Sequence, residues 1–557
     1  MQPHSFCHRP RWGSCCPRSN ALASRSVPLV KQTAAAAISL PWHDSGGPSL
    51  TEQSPGPFTL AAVRRAVLEG HEPPPVPAIA RLASYRWFVV ATVCVGAFMG
   101  QVDASLTQML LPRLERDFDA RLSAVSWIAV AYLLAMASCM PIYGRLADLI
   151  GRKLLYTAGF LTFILGSALC GFAWDLTSLV VFRVLQGAGA ALITANSIAI
   201  VVLATHPEER GRALGLQSAA QAIGLGAGPA IGGLVLDTLG WHWAFWINVP
   251  VGLIGAAMGW MVIPQSRKSA DSEKFDWHGA LLIAPALTAV VAVLNEGYAW
   301  GPTSPSFIAC VAFAILFLFL FYRAERLAES PLLDLKLLGL KPFLIGNLAN
   351  FLCYGCLFGV FFLIPFVLVR VYQDSELAAG LRLSILPVML GVLAPVGGAL
   401  SDRFGARAPT TAGMVVCIAA LALLYVYLDG SRANLSMVML ALALFGVGQG
   451  LFVSPNSSAI MGLAPPQLTG EAGSVLNVMR FLGISAGIAA SSTVLALSLG
   501  MIHGGTGSTV DAPPAMLIAA GRDVIILLIC LAAGAGLLSL VRPGTPAARS
   551  EHAFVPE

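Results

Sequence analysis

Asp103 puts a carboxylate into the first long apolar segment of the chain, and Arg183 puts a guanidinium into the fourth. An acid at membrane depth costs roughly 3 kcal/mol on insertion scales, so by default it marks a proton or ion pathway. At about 1.5 Å per helical residue, Asp103 stands about 13 Å below the outer face, counted from Pro112, and Arg183 about 12 Å below it, counted from Asp175. The two are at one level. A buried Arg and a buried Asp on neighbouring helices offset each other's desolvation, and a carboxylate poised between an Arg and water can exchange a proton. Proton coupling is the chemistry this pair offers. The alternative is a structural ion pair that only fixes helix register.

Other polar groups are equally out of place in lipid. Gln101, Gln108, Asn196, Gln217, Gln221, Asn347, Asn350, Asn456, Asn477 and Arg480 read as the lining of a substrate cavity, with interhelical glue as the competing reading. Tyr354, Phe358, Phe361 and Phe362 recur at helical spacing and read either as an apolar wall for a greasy ligand or as a lipid-facing stripe. Glu296, Asp237, Asp374 and Glu376 fall near span ends, at the interface, which leaves no second midplane acid for a divalent cation. His206 and His242 are scattered at loop positions, so no nucleophile with its base and no metal-ligand set gathers at one depth. A Gly-x-x-x-x-Gly-Lys-Ser/Thr phosphate loop is also missing, and neither an enzyme nor an ATP-driven pump is expected. A non-transporting membrane sensor or membrane enzyme stays a remote alternative.

These side chains need elements that hold them in a bilayer. Over 557 residues the chain is 56% apolar and 11% charged, with a mean hydropathy of +0.75, which excludes a soluble globular domain. Apolar runs of membrane-spanning length recur at 87–109, 123–143, 154–173, 177–202, 213–236, 243–263, 278–297, 305–323, 343–369, 378–399, 410–428, 435–461, 473–498 and 521–541, about fourteen in all. All read as helices, since a barrel would show short alternating strands. The fold class is therefore an all-α integral membrane protein.

Basic loops stay cytoplasmic. Loops holding Arg145, Arg152, Lys153, Arg210, Arg212, Arg267, Lys268, Lys274, Arg323, Arg326, Lys336, Lys341, Arg403 and Arg407 outweigh those holding Arg113, Arg116, Arg121, Arg370 and Arg432, so both termini are expected in the cytoplasm. The net charge of +5 is this bias and suggests no nucleic-acid partner. Cys7, Cys15 and Cys16 lie in the N-terminal stretch and the other cysteines in apolar spans, which is no disulfide framework. Cys353 and Cys356 read as small packing residues. Residues 1–80, rich in Pro, Ser, Arg and His, are expected to be a disordered tail, although their Arg-rich, acid-poor start also resembles a transit peptide. Arg far outnumbers Lys, which suggests a GC-rich bacterial genome and hence the bacterial cytoplasmic membrane.

The chain also repeats itself. GRLADLIGRK (Gly144–Lys153) parallels GALSDRFGAR (Gly398–Arg407), QGAGAALITANSIAI parallels GVGQGLFVSPNSSAI, and Gln221, Gly224 and Gly228 align with Arg480, Gly483 and Gly487. The shared offset makes the repeat one of whole helix bundles, an architecture of two six-helix halves rocking about a midplane cavity. The expected layout is a tail (1–80), a six-helix bundle (81–264), two inserted helices (265–325), a cytoplasmic linker (326–342), a second six-helix bundle (343–541) and a C-terminal tail (542–557).

On these residues the chain resembles the major facilitator superfamily, specifically its fourteen-span drug:proton antiporters. GRLADLIGRK resembles the loop signature between spans two and three, RVLQGAGAA (Arg183–Ala191) the fourth-span motif, and GLGAGPAIGG (Gly224–Gly233) the fifth-span antiporter motif. WHWAFWINVPVG (Trp241–Gly252) and VDASLTQMLLP (Val102–Pro112) match the fourteen-span branch, except that Gln108 stands where the branch usually has Asn. The resemblance implies two pseudo-symmetric bundles plus two extra central helices. It assigns proton coupling to Asp103 with support from Arg183, and implies a proton gradient in place of any cofactor. It implies a lipophilic or cationic small-molecule substrate, export by alternating access with broad or single-compound specificity, and a monomer in lipid. Gly224, Gly228, Pro229 and Gly232 would form a close-packed, kinked face that seals the cavity. Gly144, Asp148, Gly151 and Arg152, repeated as Gly398, Asp402 and Gly405, would form a latch between helices.

Overall fold

Long apolar runs in a medium without water must satisfy their own backbone groups, and here they do so as helices. The computed structural model describes residues 72–266, 277–301, 303–328, 337, 339–465, 468–503, 508–510 and 512–542. In chain order the long helices are α1 (Tyr85–Asp117), α2 (Leu122–Ile150), α3 (Arg152–Gly171), α4 (Leu176–Ala204), α5 (Arg210–Thr238), α6 (Trp241–Val262) and α7 (Trp277–Trp300). There follow α8 (Pro305–Leu327), α9 (Lys341–Arg370), α10 (Glu376–Phe404), α11 (Arg407–Tyr427), α12 (Leu435–Met461), α13 (Thr469–His503) and α14 (Pro514–Val541). Among the described residues 13 helices are long and apolar enough to cross a membrane, and α7 adds a shorter apolar stretch, Leu281–Glu296. No strand occurs among the described residues.

Helix ends follow local chemistry. Asp175 caps α4 by accepting from the Ser178 amide at 2.7 Å, and the Ser178 hydroxyl and amide hold its carboxyl below the usual range. Gly151 ends α2 at φ 123° and Gly405 ends α10 at φ 77°, both in the left-handed region that favours glycine. The repeated loop motif thus folds the same way twice. Helix α1 continues through Pro112 to Asp117, beyond the 87–109 expected, because its last turns are covered by other helices and bury Leu114 and Glu115.

Within each repeat the same helices meet in the same way. A Cβ on Gly224 or Gly228 of α5 would strike the Phe98 or Val102 carbonyl of α1, and one on Gly483 or Gly487 of α13 would strike the Phe351 or Gly355 carbonyl of α9. The two repeats meet where α2 packs on α13 and α5 on α10. Helix α7 lies against α2 and α13, with the Thr493 hydroxyl donating to the Leu294 carbonyl at 3.0 Å, while α8 packs on α7 and leaves Ile315 and Phe319 exposed. The inserted pair is therefore lateral to the bundle.

The expected tail ends earlier than residue 80. Residues 72–76 run to the short helix Pro77–Ala80, and the Glu72 carboxylate accepts from the Lys153 and Leu154 amides at 2.9 and 3.2 Å, capping α3. Its other oxygen accepts from the Ser266 hydroxyl at 2.9 Å, joining the starts of α1 and α3 to the end of α6. Residues 1–71 and 543–557, which hold most of both expected tails, lie outside the described residues, as does much of the expected linker.

Candidate functional site

Four helices of the first repeat converge on Asp103. Its Oδ2 accepts from Arg183 Nη1 at 2.6 Å, and its Oδ1 accepts from Gln186 Nε2 at 2.8 Å and from Asn248 Nδ2 at 3.0 Å. Arg183 is held in turn by the Ile128 carbonyl at 3.0 Å, by Gln186 Oε1 at 2.6 Å and by the Tyr132 ring, 4.2 Å from its carbon to the centroid. Gln186 also donates to the Ser167 hydroxyl at 2.6 Å. Asp103 is 1% exposed and Arg183 is fully buried. The levels expected from counting residues do bring the pair together.

One expectation changes. Asp103 was expected between Arg183 and water, yet the Gln186 and Asn248 amides occupy its other side and it lines no part of the central cavity. All donors point at the carboxylate. A proton on either oxygen removes an acceptor and weakens the ion pair, so the cluster has two distinct hydrogen-bonding states.

The central cavity lies on the opposite face of α1. Two chambers of about 450 and 560 Å³ share Gln101, Ser218, Gln221, Phe358, Ser457, Ser458 and Arg480 as walls. Of the residues expected there, Gln101, Gln217, Gln221, Tyr354, Asn477 and Arg480 line it. The other five do not. Asn196 and Asn347 bond to carbonyls one turn back on their own helices, Asn350 donates to Leu476, and Asn456 joins the Gly346 carbonyl to Arg542. Gln108 is fully buried with neither amide atom partnered. The aromatic stripe is core rather than lipid-facing: Phe361 and Phe362 are fully buried, and only Phe358 and Tyr354 reach the cavity.

The cavity walls run to Ile198, Leu214, Met461 and Gly473, near the helix ends on the basic-loop side. The opposite end is closed by contacts between the repeats. Arg370 donates to the Pro112 carbonyl at 2.9 Å, Arg113 pairs with Glu376 at 3.8 Å, and Asp237 accepts from the Leu377 amide at 3.0 Å. Glu115, fully buried, accepts from the Thr509 amide at 2.8 Å and the Ser508 hydroxyl at 3.2 Å. Asp374 pairs with Arg382 beside this closure, whereas Glu296 accepts from Trp127 Nε1 at 2.9 Å where α7 meets α2.

Both glycine motifs have structural partners. Gly224, Gly228 and Gly232 face α1, while a Cβ on Gly233 would strike the Glu376 carbonyl and one on Gly380 of α10 the Pro229 carbonyl. Pro229 sits where the two repeats touch. In the loop motif, the Arg152 amide donates to Ser266 at 2.8 Å and buried Lys153 donates to the Pro73 carbonyl at 2.8 Å. A Cβ on Gly144 would meet open space, while one on Gly398 would come within 3.3 Å of the Ser454 hydroxyl of α12 and of no backbone atom. The Asp148 side chain lies outside the described residues, and Asp402 stands in the last turn of α10.

The repeats differ where chemistry matters. Phe98 and Phe351 hold equivalent places, and five residues on from each stand Asp103 and Cys356. Likewise Gly187 and Gly446 admit the Tyr132 and Leu386 carbonyls, which stand at matching places before Gly144 and Gly398, and four residues before Gly187 and Gly446 stand Arg183 and Leu442. The second repeat therefore carries uncharged residues at the positions of the ion pair, and its own buried contact nearby is neutral, the Cys353 thiol donating to Gln449 Oε1 at 3.0 Å. Cys353→Ala removes one weak donor from a neutral site. It is expected to cost about 1 kcal/mol in a stability assay and to leave transport unchanged.

Residues 93–488 match the Major Facilitator Superfamily sequence profile. The chain is 33% identical over 417 residues to the riboflavin transporter RibZ of Clostridioides difficile, covering 74% of this chain and 89% of that protein. It is 30% identical over 412 residues to a multidrug resistance protein B homolog of Mycobacterium tuberculosis, covering 73% and 75%. The fold is similar, at TM-score 0.58 and 15% identity, to an inward-facing bacterial homolog of the human lysosomal transporter Spinster, over 82% of this chain and 98% of that one. With two repeats around one cavity and this match over most of its length, the chain belongs to the major facilitator superfamily of membrane transporters, in its drug-efflux family.

Proposed function

We propose that this protein is a proton-coupled exporter of amphipathic or lipophilic small molecules, working by alternating access in the bacterial cytoplasmic membrane. The observation that carries the proposal is the sealed Asp103–Arg183 pair one helix face away from a cavity closed at a single end. Substrate enters that cavity from the cytoplasm. A proton taken up by Asp103 from the outside loosens the cluster around Arg183, and α1, which carries Asp103 on one face and Gln101 on the other, transmits the change to the cavity wall. Each elementary charge moved across 100 mV supplies roughly 2.3 kcal/mol, so one or two protons sustain a substantial gradient.

The likeness to RibZ, a riboflavin transporter, favours a second reading within export, one in which a single compound is carried. Everted membrane vesicles separate the two. Energised uptake of several structurally unrelated amphipathic dyes, collapsed by a protonophore, is expected for the broad exporter. Response to a single compound supports the narrow one, and uptake indifferent to the protonophore removes proton coupling.

A further inference from the structure

We propose that the central cavity selects an anionic aromatic ligand whose negative group is taken by Arg480. The inference deepens the proposed function, since it rests on the cavity being the transport site. Arg480 is the one charged side chain among the described residues that line either chamber, and it lines both. The remaining wall supplies uncharged amides such as Gln101, Gln221 and Asn477, hydroxyls and hydrocarbon. Among the described residues no carboxylate pairs with Arg480, and its shielded Nε has no hydrogen-bond partner. The acid of the buried cluster offers nothing to a cavity ligand, because Asp103 faces away and is spent on Arg183.

The surroundings of Arg480 also shape the ligand. Its guanidinium lies 4.7 Å from the centroid of the Tyr354 ring, and the Phe358 ring lines both chambers beside it. A planar ligand can continue this stack while a carboxylate, phenolate or sulfonate meets the free edge of the guanidinium. Coulomb attraction is weakly screened between low-dielectric walls, so the sign of the ligand's charge counts strongly. A cation would find no counter-charge and one repelling neighbour.

Alternating access sharpens the preference. When the cavity closes and loses its water, an empty site strands the guanidinium without a partner, whereas a bound anion neutralises it. Closure then favours the loaded protein. The proposal thus favours the opposite of the cationic option left open by the sequence.

Two xanthene dyes of similar size test this: fluorescein, an anion at neutral pH, and tetramethylrhodamine ethyl ester, a cation. Binding to the purified full-length protein is read by fluorescence anisotropy, independently of transport. The native protein is expected to bind fluorescein at least about tenfold more tightly than the cation, as suits a charge-assisted contact. Arg480→Gln is expected to lose at least that factor for fluorescein and to leave the cation unchanged or improved, with Arg480→Lys intermediate. Should Arg480→Gln not fold, the comparison of the two dyes on native protein decides. Equal or tighter binding of the cation, no measurable binding of fluorescein to folded native protein, or unchanged fluorescein affinity in Arg480→Gln would overturn the inference. Anion-selective binding without energised dye uptake would instead sink the export reading, and uptake restricted to cations would sink only the ligand class.

Discussion

Asp103→Asn is expected to abolish proton-driven uptake of dye by everted vesicles, down to the level seen with a protonophore, while the variant still inserts. The amide cannot carry a proton between its two states. It also cannot replace the carboxylate: one end now donates, and Arg183, Gln186 and Asn248 all point donors at it. Removing one partner of a buried pair costs about 3–5 kcal/mol because the other charge is left uncompensated. Arg183 keeps the Ile128 carbonyl, Gln186 Oε1 and the Tyr132 ring, so a lowered melting temperature is expected rather than loss of the fold. The double variant Asp103→Asn, Arg183→Gln removes the stranded cation. Recovery of stability without recovery of proton-driven uptake separates coupling from a purely structural ion pair, for which uptake would return with stability.

The second large effect is expected at Gly380. Its missing Cβ admits the Pro229 carbonyl across the line where the two repeats meet, so Gly380→Val opposes the closed outer end without disturbing either repeat internally. Overpacking of about 1–3 kcal/mol corresponds to roughly a fivefold to 150-fold shift between two conformations. Cysteines introduced near Leu377 should become more accessible to a membrane-impermeant reagent from the outside, and dye uptake should fall. Gly228→Val makes a useful contrast. Gly228 meets α1 within its own repeat, so that variant is expected to lower stability in every conformation and to leave no such directional change in accessibility. Equal accessibility in the two variants would show that the α5–α10 contact is no gate.

Depth was legible in the sequence, and direction around the helix was not. Asp103 and Arg183 could be placed at one level by counting residues from Pro112 and Asp175. Successive helical residues turn by about 100°, so Gln101 and Asp103 point about 200° apart and cannot share the cavity. Asn196 and Ser197 point about 100° apart, and of the two only Ser197 lines the wall. The span boundaries were legible because lipid demands long unbroken helices. The end of α1 was not, since Glu115 becomes tolerable through Thr509 and Ser508, nearly four hundred residues further on, and through Arg370, 3.8 Å away. Gln186 and Asn248 carried an unused signal. Each is an amide inside an apolar span near the level of Asp103, and the residue count that paired Asp103 with Arg183 would also have drawn in Gln186. Glu72 carried none, because a tail rich in Pro, Ser and Arg gives no sign that its last residues cap α3.

The most direct measurement follows the protons themselves. Everted vesicles are acidified by respiration, dye is added, and the lumen is watched with a pH-sensitive fluorophore for native protein and Asp103→Asn at matched membrane levels. The expected result is dye-induced alkalinisation of the lumen with native protein and none with the variant. Alkalinisation of equal size in both would contradict the assignment of the proton to Asp103.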